Sequence, residues 1–82
     1  MEFYYTYVLK SLVDGRLYKG MCSDLARRLN EHNSGKQKST KAFKPWILVY
    51  SEKHNSREDA RKREIFLKSG SGREFLKYKL DL

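Results

Sequence analysis

The dipeptide Asp14-Gly15 lies between two runs of β-branched and aromatic residues, and it constrains the fold of this chain more than any other feature. Such a dipeptide is the strongest short-range signal for a β-hairpin. If it forms a two-residue loop, Val13 faces Arg16 across the hairpin. Side chains from both predicted strands then share one face: Tyr5, Tyr7, Leu9, Tyr18 and Gly20. In this pairing, the numbers of facing residues add to an odd number, as 13 and 16 do. Any other register with an odd sum leaves the same side chains on this face and changes only the distance between Tyr7 and Tyr18.

A helix, a loop and a strand are predicted after the hairpin. The helix runs from Asp24 to Asn33, with Ser23 or Asp24 as its N-cap. The segment from Gly35 to Pro45 is rich in lysine and has no apolar periodicity, so we expect a basic loop there. The continuous apolar run from Trp46 to Tyr50 predicts a buried third strand.

The C-terminal part of the chain is predicted to be helical. A second helix begins at a capping box at Ser56 and continues to Lys68. The cluster Gly70-Ser71-Gly72 is expected to form a turn between helices, and a short third helix is predicted from Glu74 to Leu80.

Length and charge limit the classes of function. A chain of 82 residues is expected to form one domain, 1–82, around one small core. Its 18 Lys and Arg against 10 Asp and Glu give a net charge of +8, which attracts polyanions such as nucleic acid. A hydrophobic content of 39% with 13% aromatic residues favours a folded domain over a disordered basic tail.

The single cysteine, Cys22, excludes an internal disulfide and, with only His32 and His54 to assist it, a zinc site. We expect a small buried or capping role for Cys22 and a surface position for His54. No apolar run is long enough to span a bilayer, and the N-terminus has no signal-peptide pattern. The sequence therefore predicts a cytoplasmic protein without membrane association.

Polar residues occur at positions where the predicted elements should face inward. Arg28 and His32 fall beside leucines on one helix face, and Glu64 falls on the stripe formed by Ala60 and Leu67. Because a buried charge without a partner is expensive, these residues and the two tyrosines of the hairpin are candidates for one shared polar site.

Each of these residues also has a purely structural interpretation. The tyrosines can pack on the sheet with their hydroxyls at its rim, and Arg28 can be a solvated helix residue. His32 can stabilise a helix C-terminus, and Glu64 can do no more than pair with a neighbouring cation.

The segments Tyr5-Thr6-Tyr7 and Tyr18-Lys19-Gly20 resemble the two motifs of the GIY-YIG nuclease superfamily, with a degenerate first motif. Tyr7 and Tyr18 are eleven residues apart, Arg28 follows ten residues later and His32 four after that, with Glu64 on a later helix. This order is similar to that of the family's catalytic set. The flanking sequences resemble the small, stand-alone YhbQ-like branch, and the resemblance covers nearly the whole chain.

The resemblance implies an α/β (α+β) fold, a three-stranded antiparallel sheet flanked by about three helices. It also implies a metal-dependent endonuclease that hydrolyses phosphodiester bonds of DNA, such as repair or recombination intermediates. Glu64 would hold one Mg²⁺ or Mn²⁺ ion, and Arg28 would bind the scissile phosphate. Tyr7 would act as general base or position the attacking water, assisted by Tyr18 and His32.

A nucleic-acid partner would be contacted mainly by cations outside this catalytic set. The residues that we expect to make these contacts are Lys19, Arg27, Lys36, Lys38, Ser39, Thr40, Lys41, Lys44, Arg61 and Lys68. The segment from Ser69 to Arg73 lacks the polar residue, often Asn, that many relatives carry after the metal-binding glutamate. Specificity would come from this domain, a dimer or a partner protein.

Two alternatives remain open. In the first, the same residues bind phosphate without cleaving it, and the chain is a non-catalytic basic nucleic-acid-binding module. In the second, the chain is a subunit that docks on a larger repair complex.

Overall fold

The computed structural model describes residues 2–81. It has an α+β fold with a three-stranded antiparallel sheet of order β2-β1-β3 and four helices. The strands are β1 (Tyr4–Ser11), β2 (Leu17–Cys22) and β3 (Trp46–His54). The helices are α1 (Leu25–Asn33), α2 (Lys38–Lys41), α3 (Arg57–Lys68) and α4 (Gly70–Leu80). The predicted fold is confirmed, with one helix more than expected.

The hairpin loop is longer than the two residues predicted. The Ser11 amide donates to the Arg16 carbonyl at 2.9 Å, so residues 12–15 form the loop. The Gly15 amide donates back to the Ser11 carbonyl at 2.9 Å, and Gly15 takes a left-handed φ of 80°. Glycine therefore ends a four-residue turn here, where the two-residue prediction placed it inside a tighter one.

The predicted shared face of the hairpin is present. Tyr7 pairs with Gly20 and Leu9 with Tyr18, so the residue numbers again add to an odd number. Tyr7 and Leu9 are buried on this face together with Cys22 and Trp46. Helix α1 packs on the same face through leucines, which brings its polar residues close to the tyrosines.

The opposite face of the sheet packs on α3 and α4. Val8, Leu67 and Leu76 form its buried centre, and each is at most 1% exposed. Helix α3 begins at the predicted cap, where the Ser56 hydroxyl accepts from the Asp59 amide at 3.1 Å. The sheet therefore separates two small cores, one beneath α1 and one beneath α3 and α4.

The third strand is not buried as predicted. β3 lies at an edge of the sheet, where Ile47 and Leu48 are 41% and 40% exposed. A bulge shifts the register between the Val8–Tyr50 and Leu9–Leu48 pairs. An apolar run cannot reveal from sequence alone whether a strand lies at the centre or at the edge of a sheet.

Two other predicted boundaries are corrected. Gly70-Ser71-Gly72 forms the first turn of α4, because the Ser69 hydroxyl caps the helix by accepting from the Gly72 amide at 3.1 Å. The segment predicted as a basic loop contains the short helix α2. No helix within residues 2–81 has the length and apolar character needed to cross a membrane.

The substitution Gly72→Ala tests how closely the backbones of α3 and α4 pack. A Cβ at position 72 would lie 1.9 Å from the Phe66 carbonyl oxygen, whereas a Cβ at Gly70 would meet nothing within 4 Å. We expect Gly72→Ala to lower the free energy of unfolding by about 1–3 kcal/mol through overpacking. Gly70→Ala, the matched control, should be neutral or stabilising by up to about 1 kcal/mol. Urea denaturation of both variants measures the difference, and equal stability would contradict the inferred contact.

Candidate active site

Tyr7 reaches the site because its cross-strand partner is glycine. Its ring lies over Gly20, where an added Cβ would be 2.6 Å from the Tyr7 hydroxyl oxygen and 2.8 Å from Cζ. The ring, only 3% exposed, therefore lies across β2 in the space that a side chain at position 20 would fill. Gly20 supports the site by its lack of a side chain.

A buried chain of hydrogen bonds joins β1, α1 and α2. The Tyr7 hydroxyl lies 3.0 Å from His32 Nε2, and His32 Nδ1 lies 2.8 Å from Thr40 Oγ1. His32 and Thr40 are both fully buried. A neutral imidazole has one donor and one acceptor nitrogen, so Tyr7 and Thr40 take opposite roles towards the ring.

Burial holds both Tyr7 and His32 in their neutral forms. It raises the pKa of the Tyr7 phenol above its ordinary range, with a further increase from Tyr18, while the positive charge of Arg28 opposes this. Burial also lowers the pKa of His32, and the repulsion of Arg28 adds to that effect. The pair is therefore a neutral hydrogen-bonding unit, and Arg28 is the charge that favours the phenolate of Tyr7.

Tyr18 packs against the imidazole ring. The ring centroids of Tyr18 and His32 lie 4.8 Å apart in an edge-on arrangement, and Tyr18 lies 6.3 Å from Tyr7. Trp46 closes the cluster at 6.2 Å from Tyr18. Tyr18 thus limits the orientations open to the imidazole that contacts Tyr7.

The end of α1 is fixed to the sheet through Trp46. The Asn33 amide group donates to the Trp46 carbonyl at 3.0 Å and accepts from the Trp46 amide at 2.6 Å. The Trp46 indole donates to the Thr40 carbonyl at 2.9 Å. These bonds position the last turn of α1, which carries His32. They also position Thr40, whose hydroxyl contacts His32 Nδ1.

Glu64 is a buried carboxylate held by two exposed cations. Its side chain is 9% exposed, and its oxygens accept from Arg61 Nη1 at 3.0 Å and from Lys68 Nζ at 3.1 Å. The side chains of Arg61 and Lys68 are 64% and 53% exposed. Because these partners are solvated and flexible, they can move aside when another cation or a phosphate enters.

A cleft lies between the end of β2, α1 and the first turns of α3. It has a volume of about 470 Å³, and we call it the Glu64 cleft. Its charged lining consists of Arg28, Arg57, Arg61 and Glu64. Arg28 is half-exposed and bonds Glu31 at 3.3 Å, which leaves other guanidinium donors for a ligand.

The Glu64 cleft suits a hydrated hard cation better than a metal held by protein ligands alone. Within residues 2–81, no three His, Cys, Asp or Glu side chains cluster to form a metal cage. Glu64 supplies one carboxylate in an open, polar cleft. Mg²⁺ is commonly held by one or two carboxylates plus water and substrate phosphate, so the donor set fits this ion or Mn²⁺.

Comparison with known proteins identifies the family. The family model described as the GIY-YIG catalytic domain matches residues 3–79. The chain belongs to the GIY-YIG family. The resemblance inferred from the two tyrosine motifs is therefore confirmed, and the chain is a member of a nuclease family.

Similar proteins place the chain in the small UPF0213 branch of this family. A UPF0213 protein of Streptococcus agalactiae is 44% identical over 75 residues, which cover 90% of this chain and 84% of that protein. One from Staphylococcus saprophyticus is 38% identical over 78 residues, 94% of each chain. The solution NMR structure of a UPF0213 protein from Bacillus halodurans has a TM-score of 0.55 and 35% identity, over 90% of this chain and 81% of that one.

The five residues expected to be catalytic lie along β2 in two groups. Tyr7, Tyr18 and His32 form the aromatic cluster, while Arg28 and Glu64 line the Glu64 cleft. The charges of Arg28 and Glu64 both act on the Tyr7 hydroxyl, which places the groups within electrostatic reach of each other.

The residues expected to contact nucleic acid differ in exposure. Lys19 is half-buried. The exposed members of the set are Arg27, Lys36, Lys38, Ser39, Lys41, Lys44, Arg61 and Lys68. Thr40 is fully buried with its hydroxyl on His32, so the expectation that it contacts nucleic acid was wrong. Thr40 instead positions the imidazole that contacts Tyr7.

His54 is not a surface residue as expected. Its side chain is 14% exposed, and Nε2 lies 3.0 Å from Thr6 Oγ1 at the end of β3. The Thr6 hydroxyl donates to the Ala60 carbonyl at 3.0 Å, so it accepts from His54. Strand β3 extends beyond the apolar run that ends at Tyr50, so His54 is its last residue and pairs with Tyr4 of β1.

Two supporting residues had weak signals in the sequence. Gly20 occupies the glycine position of the second motif, and a glycine inside a strand is a general signal of close approach by another group. Thr40 lies eight residues after His32 in a polar segment, and no local pattern connects them. Only the tertiary structure brings Thr40 to the imidazole.

Gly20→Ala tests the approach of Tyr7. The new methyl group would force the Tyr7 ring away from His32, and we expect a loss of about 1–3 kcal/mol in the free energy of unfolding. In a Tyr7→Leu background, the same substitution should cost much less, because the colliding hydroxyl and Cζ are absent. Denaturant unfolding of the full cycle measures this coupling, and additive effects would contradict the contact.

His32 predicts a pH dependence of stability. Because burial lowers the pKa of folded His32, the unfolded chain binds this proton more readily. The associated stability is complete above about pH 6.5, the ordinary range of histidine, and is lost as pH falls. Unfolding free energies measured from about pH 8 to about pH 5 should fall more steeply for wild type than for His32→Gln. Parallel curves would rule out a buried neutral imidazole.

Proposed function

We propose that this protein is a divalent-metal-dependent endonuclease that hydrolyses phosphodiester bonds of DNA, with repair or recombination intermediates as its substrate class. The observation that carries the proposal is the Glu64 cleft. Its buried carboxylate lies among three arginines, Arg28, Arg57 and Arg61. This charge arrangement favours a ligand that presents an anionic phosphate together with a hard cation.

Arg28 is suited to bind the scissile phosphate. Its guanidinium presents a planar fork of donors that matches two phosphate oxygens. Its other ionic contact, with Glu31, is a half-exposed pair on the same helix. Charge that develops on the phosphate in the transition state would be stabilised by this fixed cation.

Tyr7 is suited to position the attacking water and to accept its proton. Its neutral phenol is fixed by His32, and its hydroxyl oxygen retains a lone pair for a water molecule. Because burial raises its pKa, Tyr7 needs nearby positive charge to act as a base, and Arg28 supplies part of this. His32, oriented by Thr40 and Tyr18, keeps the phenol in place. When Tyr7 takes a proton from water, its own phenol proton would pass to His32 Nε2 at 3.0 Å, with the Nδ1–H of His32 donated to Thr40 Oγ1.

Glu64 is the residue that would hold the metal. When bound there, Mg²⁺ or Mn²⁺ would act as a Lewis acid that stabilises charge on the phosphate and the leaving oxygen. Release of Arg61 and Lys68 from Glu64 would free both cations to bind flanking phosphates. The net charge of +8 supports a long polyanionic substrate rather than a small metabolite.

Cleavage of a labelled substrate panel tests the proposal. The panel contains duplex, single-stranded, flap and four-way-junction DNA and one RNA, each with Mg²⁺, Mn²⁺ or EDTA. We expect metal-dependent cutting by wild type, and a loss of about 10²- to 10⁴-fold in Tyr7→Phe and Glu64→Gln, with DNA binding largely retained. Glu58→Gln is the matched control, since Glu58 is exposed on the first turn of α3.

Two results would contradict the proposal. Normal cutting by both Tyr7→Phe and Glu64→Gln would show that the assigned site is wrong. Salt-sensitive DNA binding without cleavage of any substrate would favour the non-catalytic binding module instead.

A further inference from the structure

We propose that a groove beside α4 binds a backbone phosphate of the nucleic-acid strand whose scissile phosphate lies in the Glu64 cleft. This inference rests on the proposed function and extends its substrate site. The groove, about 460 Å³ in volume, lies between the hairpin and the first turns of α4. We call it the α4 groove, and its lining consists of Gly15, Arg16, Leu17, Lys19, Arg73, Glu74, Leu76 and Lys77.

Three cations of the α4 groove have no acidic side chain of residues 2–81 within salt-bridge distance. Within residues 2–81, the salt bridges of 4.0 Å or less include none to Lys19, Arg73 or Lys77. Arg73 and Lys77 are four residues apart on α4 and therefore share one helix face. Glu74 is the one acidic residue of the lining. The groove thus presents converging positive charge that an anion would neutralise.

Arg16 is excluded from this set of cations. Its guanidinium pairs with Asp14 at 2.8 Å and lies over the Phe43 ring at 3.5 Å from the centroid. These contacts hold the Arg16 guanidinium at the hairpin loop.

The charged form of Lys19 is disfavoured in the groove. Partial burial lowers the pKa of its ammonium, and the positive charges of Arg73 and Lys68 lower it further. A phosphate in the groove would offset this repulsion and bring Lys19, Arg73 and Lys77 to one ligand.

Strand β2 connects the α4 groove to the Glu64 cleft. Lys19 lines the groove and Met21 lines the cleft, and they are two positions apart on β2. Two strand residues rise about 7 Å, while successive phosphates of one DNA strand advance about 3.4 Å along the axis. The two linings therefore adjoin along β2, which fits a nucleic-acid strand that passes from the cleft to the groove within a few nucleotides.

Binding measurements without divalent metal test the groove independently of catalysis. Fluorescence anisotropy would compare labelled single strands of about 3 and about 12 nucleotides in EDTA. We expect Arg73→Gln and Lys77→Gln to weaken binding of the long strand several-fold and to reduce the slope of log K against log salt by about 1 each. The loss should be much smaller on the short strand.

Two matched variants make the test specific. Lys62→Gln removes an exposed cation of α3 that lies outside both linings, so its effect gives the background for loss of one charge. Glu74→Gln removes the acidic residue of the groove and should tighten binding of the long strand. Circular dichroism would verify that each variant is folded.

The outcomes separate this inference from the proposed function. If Arg73→Gln and Lys77→Gln behave like Lys62→Gln on the long strand, the α4 groove is not a phosphate site, whether or not the protein cleaves DNA. If wild type cleaves nothing, but Arg73→Gln weakens and Glu74→Gln tightens long-strand binding, the groove is supported and only the nuclease proposal fails. Equal losses on short and long strands would overturn the inference by favouring a site for a free phosphate group.

Discussion

The hydrogen bonds from Tyr7 through His32 to Thr40 are the constraint on which the rest of the structure depends. They join a central strand, the helix that covers it and the short helix that follows, and all three side chains are buried. Within residues 2–81, no buried side-chain nitrogen or oxygen lacks a hydrogen-bond partner. Loss of one member would therefore leave another unsatisfied in an apolar environment, which costs more than the bond itself. The glycine opposite Tyr7 and the tryptophan beneath Thr40 are required by the same geometry.

The ion pairs of Glu64 are more mobile than the buried hydrogen bonds of Tyr7, His32 and Thr40. Its two cationic partners are flexible and mostly exposed, so their bonds with the carboxylate are easily exchanged. The neutral pair of Tyr7 and His32 is fixed, whereas the carboxylate can exchange its partners when a ligand enters. A site that must admit and release a polyanion needs both features: rigid groups to orient the reacting atoms and mobile charges to follow the ligand.

The sequence singles out the candidate site residues because polar groups occur where apolar ones are expected. Polar groups at Arg28, His32 and Glu64 fell on faces expected to be apolar, and any odd-sum hairpin register puts Tyr7 and Tyr18 on one face. The length of the hairpin loop, the edge position of β3 and the burial of Thr40 depend on contacts between distant segments, which local patterns do not encode. The start of α4 was missed because its glycines suggested a turn, while the packing of Gly72 against Phe66 requires glycine within the helix.

Function and stability are tightly coupled in a domain this small. Its largest fully buried side chains include His32, Thr6, Thr40 and Ser11 beside the aliphatic residues, so hydrogen-bonded polar groups make up much of the core. Tyr7 is both a core residue of the face beneath α1 and a group with a role in the proposed chemistry. A substitution at such a position changes packing, hydrogen bonding and reactivity together. Variants that keep the shape of the side chain, such as phenylalanine for tyrosine or glutamine for glutamate, are therefore the ones whose loss of activity can be assigned to chemistry.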